Sequence, residues 1–172
     1  MGAHTITIRD ATAADLPRIF AIYNEEIEHG IATFEVEPKR VDRDRGWLTE
    51  RDDLYPVLVA VEEDELIGWA SLSQWSPRGA YRRTAEVSEY VDAGRRGHGV
   101  GGALLAALIE RARDSGIAVL LARVTQPNPA SEAMHESLGF SAFGTQRRCG
   151  EKFGRILDVK LMDLHLDEVQ EQ

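Results

Sequence analysis

The run Arg96-Gly97-His98-Gly99-Val100-Gly101-Gly102 has the composition of an anion-binding loop. Glycines let successive backbone N–H groups turn toward one phosphate. Leu104, Leu105, Leu108 and Ile109 follow at helical spacing, so a helix N-terminus adds its dipole. A Gly-x-Gly run also serves as a plain tight turn between strand and helix, and spacing alone leaves both readings open. Two familiar phosphate loops are excluded: no Gly-Lys-Ser/Thr follows, and the run lies mid-chain rather than after a first strand with an acidic ribose partner downstream. Asn128, just before a short predicted helix, either offers its amide to a ligand with Ser131 bonding nearby, or caps that helix. The histidines His4, His29, His98, His135 and His165 lie far apart without cysteine or paired-histidine spacing, so no metal site is expected.

These residues need elements to hold them. Ile6-Thr7-Ile8 alternates like a short strand, and Thr12 to Asp15 opens a helix carrying Leu16, Ile19, Phe20 and Tyr23, with Pro17 tolerated in its first turn. A second helix is predicted over about 41–51. Strands at 57–61 and 66–72 flank the polar link Glu62-Glu63-Asp64-Glu65, short enough for a hairpin. A strand over 84–92 leads into the glycine loop and a helix to about Ser115, stopped by Gly116. A β-branched and aliphatic central strand follows at 117–125, then a helix over 129–138. Two final strands, about 144–149 and 156–166, meet at the turn Lys152-Phe153-Gly154. The order β-α-α-β-β-β-α-β-α-β-β predicts a single α/β domain, core about 6–166, around a mixed, mostly antiparallel sheet flanked by helices. Alternation on the 84–92 strand puts Glu86, Ser88 and Tyr90 on one face and Val87, Glu89 and Val91 on the other, so Glu89 should not share a role with Glu86.

At 172 residues and 43% hydrophobic, the chain suits one domain with a real core. Twenty basic against 29 acidic side chains leave a net charge of −9, which argues against a nucleic-acid surface. Between Ser76 and Gly101, however, Arg78, Arg82, Arg83, Arg95 and Arg96 outnumber Glu86, Glu89 and Asp92. That local excess fits a pocket for a small anion, or a solvated cluster. Cys149 is the only cysteine, the first ten residues carry no apolar leader, and no run reaches the length of a membrane span. A cytoplasmic protein with no membrane partner is the expectation.

Arg96, Gly99 and Gly101 form an Arg-x-x-Gly-x-Gly pattern that resembles the pyrophosphate loop of the GNAT superfamily of N-acetyltransferases, which bind acetyl-CoA. Asn128-Pro-Ala-Ser131 with Leu138-Gly139-Phe140 resembles the segment that lines the cofactor channel in that superfamily. The arc from Arg78 through Tyr81, Glu86 and Tyr90 to Val91, together with Ile22-Tyr23-Asn24, Ala32-Thr33-Phe34 and Lys152-Phe153-Gly154-Arg155-Ile156-Leu157-Asp158, is similar to the phosphinothricin and methionine sulfoximine acetyltransferase branch. The likeness spans about residues 8–166 and implies the acyltransferase fold.

The resemblance also implies roles. Glu86 takes the place of the branch's general base, for which the chemical need is plain, since an α-ammonium cannot attack a thioester before losing a proton. The other readings of Glu86 are an exposed strand residue or a salt-bridge partner of Arg82 or Arg83. His135 stands where a proton donor to the departing thiolate is placed, and is equally read as a structural histidine. Glu89, Tyr90, Val91, Arg96, Gly97, His98, Gly99, Val100, Gly101, Gly102, Asn128 and Ser131 correspond to acetyl-CoA contacts, and backbone N–H groups near Tyr90 and Val91 to an oxyanion site. Phe34, Ser76, Pro77, Arg78, Tyr81, Glu86, Val87 and Ser88 correspond to the acceptor site, with Arg78 suited to a carboxylate and Trp75 as a further wall. The implied activity is direct acetyl transfer from acetyl-CoA to the α-amino group of a small amino acid or analogue, in a homodimer. The alternatives are another amine acceptor (a protein N-terminus, polyamine or aminoglycoside) and a non-catalytic CoA-binding module.

Overall fold

Glu63 and Asp64, with φ of 47° and 67°, form the two-residue turn of a hairpin between β2 (Val57–Glu62) and β3 (Glu65–Gln74). Left-handed residues at both central positions match the twist of the flanking strands. This hairpin belongs to the computed structural model, which describes residues 5–167; His4 lies outside the described residues. The sheet has seven strands in the order β1-β2-β3-β4-β5-β7-β6, completed by β1 (Thr7–Asp10), β4 (Thr84–Val91), β5 (Val119–Thr125), β6 (Ser141–Lys152) and β7 (Arg155–His165). Every pairing is antiparallel except β4 with β5.

That parallel pair requires a crossover, and the glycine run with α4 (Val100–Asp114) supplies it. The helix buries Val100, Leu104, Leu105, Leu108, Ile109 and Ala112 against one face of the sheet, on Leu58, Ile67, Leu72, Val87, Leu120 and Met162. On the other face α1 (Leu16–His29) buries Leu16, Ile19, Phe20 and Ile22 against Val57, Val59, Leu66 and Trp69. A carboxylate oxygen of Asp15 accepts the Thr12 N–H at 2.7 Å, and Pro17 occupies the first turn, where its missing N–H costs nothing.

The pairing of β4 with β5 sets the site. It runs through only three rungs, Thr84↔Val119, Ala85↔Leu120 and Glu86↔Leu121. Beyond Glu86 the strands part, leaving the backbone edges of residues 87–91 and 122–125 facing an opening.

Two expectations need correction. The helix predicted over 41–51 is two four-residue helices, α2 (Val41–Asp44) and α3 (Gly46–Thr49). Asp44 turns back to accept the Arg40 N–H at 2.7 Å, and the weak helix former Gly46 follows. Strand β6 is longer than 144–149 because it carries two register shifts. At the second, Arg148 adopts φ 54° and its N–H donates to Asp158 Oδ1 at 2.6 Å, so the irregular backbone is satisfied by a side chain that no periodicity reveals. The short helix α5 (Pro129–Ser137) forms as expected.

Candidate active site

The parted strands open into a cleft of about 1090 Å³. One end is the glycine run. Gly99, at φ 81°, is the left-handed N-cap of α4, and the N–H groups of Val100, Gly101 and Gly102 lie in its first turn, where they have no intrahelical acceptor. Arg96 fixes this loop: Nε donates to Val91 O at 3.1 Å and Nη2 to the buried Glu26 carboxylate at 3.2 Å. Gly97, Gly99, Val100, Gly101 and Gly102 line the cleft together with Arg96. His98 does not; it is exposed, with Nδ1 2.9 Å from Arg96 O.

The face of β4 toward α4 and α5 carries Val87, Glu89 and Val91. Glu89 Oε1 lies 3.6 Å from Nε2 of His135, and both side chains are buried. Burial pushes the Glu89 carboxyl above its ordinary range, and the neighbouring His135 only partly opposes this. His135 Nδ1 lies 2.8 Å from Ser131 O, a contact that sets it as the ring's donor, while Nε2 has no hydrogen-bond partner among the described residues. Asn128 is the cap of α5, and its place on the cleft wall leaves it beside the opening as well. Its Oδ1 accepts the Ser131 N–H at 3.1 Å, and Ser131 lines the cleft with it.

The opposite face carries Glu86, Ser88 and Tyr90, as alternation requires. Tyr90 sits among Tyr23 and Trp69, with ring centroids 4.8 Å and 5.0 Å away. Burial raises its phenol well above the ordinary value, so it is a neutral donor rather than a base. Glu86 is neither isolated nor paired with Arg82 or Arg83. Arg123, from β5, grips both of its oxygens, with Nε to Oε1 at 2.8 Å and Nη2 to Oε2. The guanidinium also lies 5.3 Å over the Trp75 ring. Because the Arg123 side chain is 48% exposed, this pair is worth at most about 1 kcal/mol and can be exchanged.

Phe34 closes this end from the segment after α1. Buried Lys152 holds that segment, donating to Glu26 O at 3.2 Å and Thr33 O at 3.0 Å, and Tyr23 Oη lies 3.0 Å from Thr33 Oγ1. Burial depresses the Lys152 ammonium. Gln146 and the exposed Cys149 of β6 complete the wall.

Several expected residues stand elsewhere. Ser76, Pro77, Arg78 and Tyr81 lie in the connection between β3 and β4 and do not line the cleft; Pro77, Arg78 and Tyr81 are exposed. Trp75 supports Arg123 from behind rather than walling the site. The arginine excess does not form one pocket: only Arg95 and Arg96 of those five line the cleft, while Arg83 pairs with Asp167 at 2.7 Å. Arg123, Glu26 and Cys149 were missed. For Arg123 a signal existed, since a lone charge inside the apolar strand Val119-Leu120-Leu121-Ala122-Arg123-Val124 asks for a partner.

A sequence model of the acetyltransferase (GNAT) family matches residues 16–140. The chain is 42% identical over 163 residues to the L-methionine sulfoximine/L-methionine sulfone acetyltransferase of Pseudomonas aeruginosa, covering 94% of this chain and 95% of that one. Among solved structures, the ribosomal-protein-alanine N-acetyltransferase of Brucella melitensis superposes with a TM-score of 0.90 at 42% identity, covering 93% of this chain and 99% of that one. A phosphinothricin acetyltransferase from Sinorhizobium meliloti, in complex with acetyl-CoA, gives 0.88 at 37% identity, covering 94% and 89%. With strands that part beside a glycine-capped helix and a family match across most of its length, this chain belongs to the acetyltransferase (GNAT) family.

Proposed function

We propose that this protein is an acetyl-CoA-dependent N-acetyltransferase acting on the α-amino group of a small amino acid or analogue, of the methionine sulfoximine, methionine sulfone or phosphinothricin kind. The observation that carries the reading is the opening of β4 from β5 just beyond Glu86, with an anion loop at one end and a carboxylate at the other. Unpaired strand edges suit the amides of a pantetheine arm, added like a further strand. The N–H groups at the start of α4 suit a pyrophosphate. The residues therefore fit acetyl-CoA, which supplies the thioester acyl group.

Glu86 takes the proton of the acceptor ammonium, and the freed nitrogen attacks the acyl carbon in a ternary complex. The backbone N–H of Val91, on the edge of β4 turned away from β3, holds the developing negative charge on the acyl oxygen, whereas the Tyr90 N–H is turned toward β3. His135, held through its Nδ1–H by the Ser131 carbonyl, delivers the Nε2 proton of its imidazolium form to the departing sulfur and is left as the neutral ring. Phe34, Val87 and Ser88 bound the acceptor chamber. A homodimer and a cytoplasmic location belong to the same reading. The first is supported by Phe143, Phe153 and Ile156, exposed on the β6–β7 hairpin, and the second by the single cysteine.

A second reading, acetylation of a protein N-terminus, is favoured by the name of the Brucella neighbour. The test is release of free CoA from acetyl-CoA across small amino acids, their sulfone, sulfoximine and phosphinic analogues, alanine-terminated peptides and polyamines. Turnover of free amino acids or their analogues is expected. Turnover confined to peptides or polyamines overturns the proposal.

A further inference from the structure

Among the described residues three cationic side chains line the cleft, and two are committed to the cofactor end. Arg95 is held by Glu62 and Glu65, and Arg96 by Glu26 and the Val91 carbonyl. Arg123 alone stands at the acceptor end, bonded only to Glu86 and stacked on Trp75. It projects from β5 on the same face as Leu121, the residue in register with Glu86, so carboxylate and guanidinium look into one chamber.

An α-amino acid presents the mirror of this pair, an ammonium and a carboxylate separated by one carbon. On this basis, and resting on the amino-acid reading above, we propose that Arg123 is the specificity-determining residue that recognises the acceptor carboxylate. The acceptor exchanges one ion pair for two: its ammonium takes Glu86, and its carboxylate takes the planar fork of Arg123. A zwitterion meeting a neutral ion pair brings no net charge into the cleft, so the exchange avoids the cost of an uncompensated buried charge. The long, half-exposed Arg123 side chain can swing while Trp75 keeps its guanidinium near the chamber.

An amine without a carboxylate makes no such exchange. It leaves Arg123 on Glu86 and the base occupied, so free amino acids are selected over peptide N-termini and amides. Arg78, exposed and off the cleft wall, is not needed for this discrimination.

The experiment compares kcat/KM for the best free amino-acid acceptor with that for its carboxamide, in the wild type and in Arg123→Gln, with acetyl-CoA affinity measured by calorimetry as a check on folding. The wild type is expected to prefer the free acid. Arg123→Gln should raise the acid's KM by roughly 10- to 100-fold, the range for losing a charge-assisted hydrogen bond. It should free Glu86 for the carboxamide and so raise the carboxamide's kcat/KM, leave acetyl-CoA affinity within about twofold, and bring the acid-to-amide ratio toward unity. Retained discrimination in the variant, or an equal loss on acid and amide, overturns the assignment and reduces Arg123 to a support for Glu86. A wild type that turns over peptides but no free amino acid overturns the underlying reading as well, and is recognised without any variant.

Discussion

Two carboxylates three positions apart on β4 face opposite ways and carry different chemistry. Glu86→Gln keeps the shape and removes the proposed base, so kcat should fall by roughly 10²–10⁴, the usual contribution of general base catalysis, while calorimetry should find acetyl-CoA still bound. Activity partly recovered at high pH, where free amine is abundant, would accompany that loss. Glu89 should behave oppositely in stability. Burial raises its folded-state carboxyl above the ordinary value of 4.5, so the folded protein binds more protons than the unfolded chain above that pH. Stability contributed there is lost as pH rises. Glu89→Gln, which never ionises, should therefore gain in Tm relative to wild type as pH rises from about 4.5 to 7, followed by thermal melts. A variant that melts lower at neutral pH would show that the contact with His135 outweighs burial. Alternation alone separated Glu86 from Glu89. The partners Arg123 and His135 come from β5 and α5, and no local pattern could pair them.

At the level of elements, order and type were readable wherever periodicity was strong, as in α1, α4 and the β2–β3 hairpin. The opening between β4 and β5 was not. It is a property of two strands distant in sequence, and the apolar runs that form them do not say where pairing stops. Two glycines make this level testable. Gly99 holds φ 81° at the cap of α4, where a side chain costs about 1–2 kcal/mol but Asn is tolerated better. Gly99→Val should raise the acetyl-CoA dissociation constant by roughly tenfold or more and Gly99→Asn by less, read by calorimetry. A Cβ at Gly150 would overlap the Phe34 ring, so the ring must shift. Gly150→Ala should push Phe34 off its wall and raise the acceptor KM, leaving acetyl-CoA affinity as it was.

For the whole molecule, the distribution of exposed apolar surface is the feature with most to say. Phe143, Phe153 and Ile156 are 55%, 57% and 50% exposed on one edge hairpin, and among the described residues β6 has no strand on its outer side. An open edge with aromatic side chains is a surface that natural proteins cover. Sedimentation should therefore give a dimer, and Ile156→Lys with Phe153→Lys should shift it to monomer without unfolding it. A monomeric wild type would remove the dimer from the proposal. This surface was not legible beforehand: Ser141-Ala142-Phe143-Gly144-Thr145-Gln146 shows no clean alternation, because register shifts break the period that would have marked its faces.

The position of Cys149 has a practical consequence. The only thiol in the chain sits in the wall of the chamber where the reaction would release another, the sulfhydryl of CoA. Disulfide reagents used to follow product thiol continuously would also modify the enzyme, and the apparent rate would decay with reagent exposure rather than with substrate. In a Cys149→Ser protein that decay should vanish. The same thiol, tagged with an environment-sensitive dye, would turn the cleft into its own reporter of occupancy.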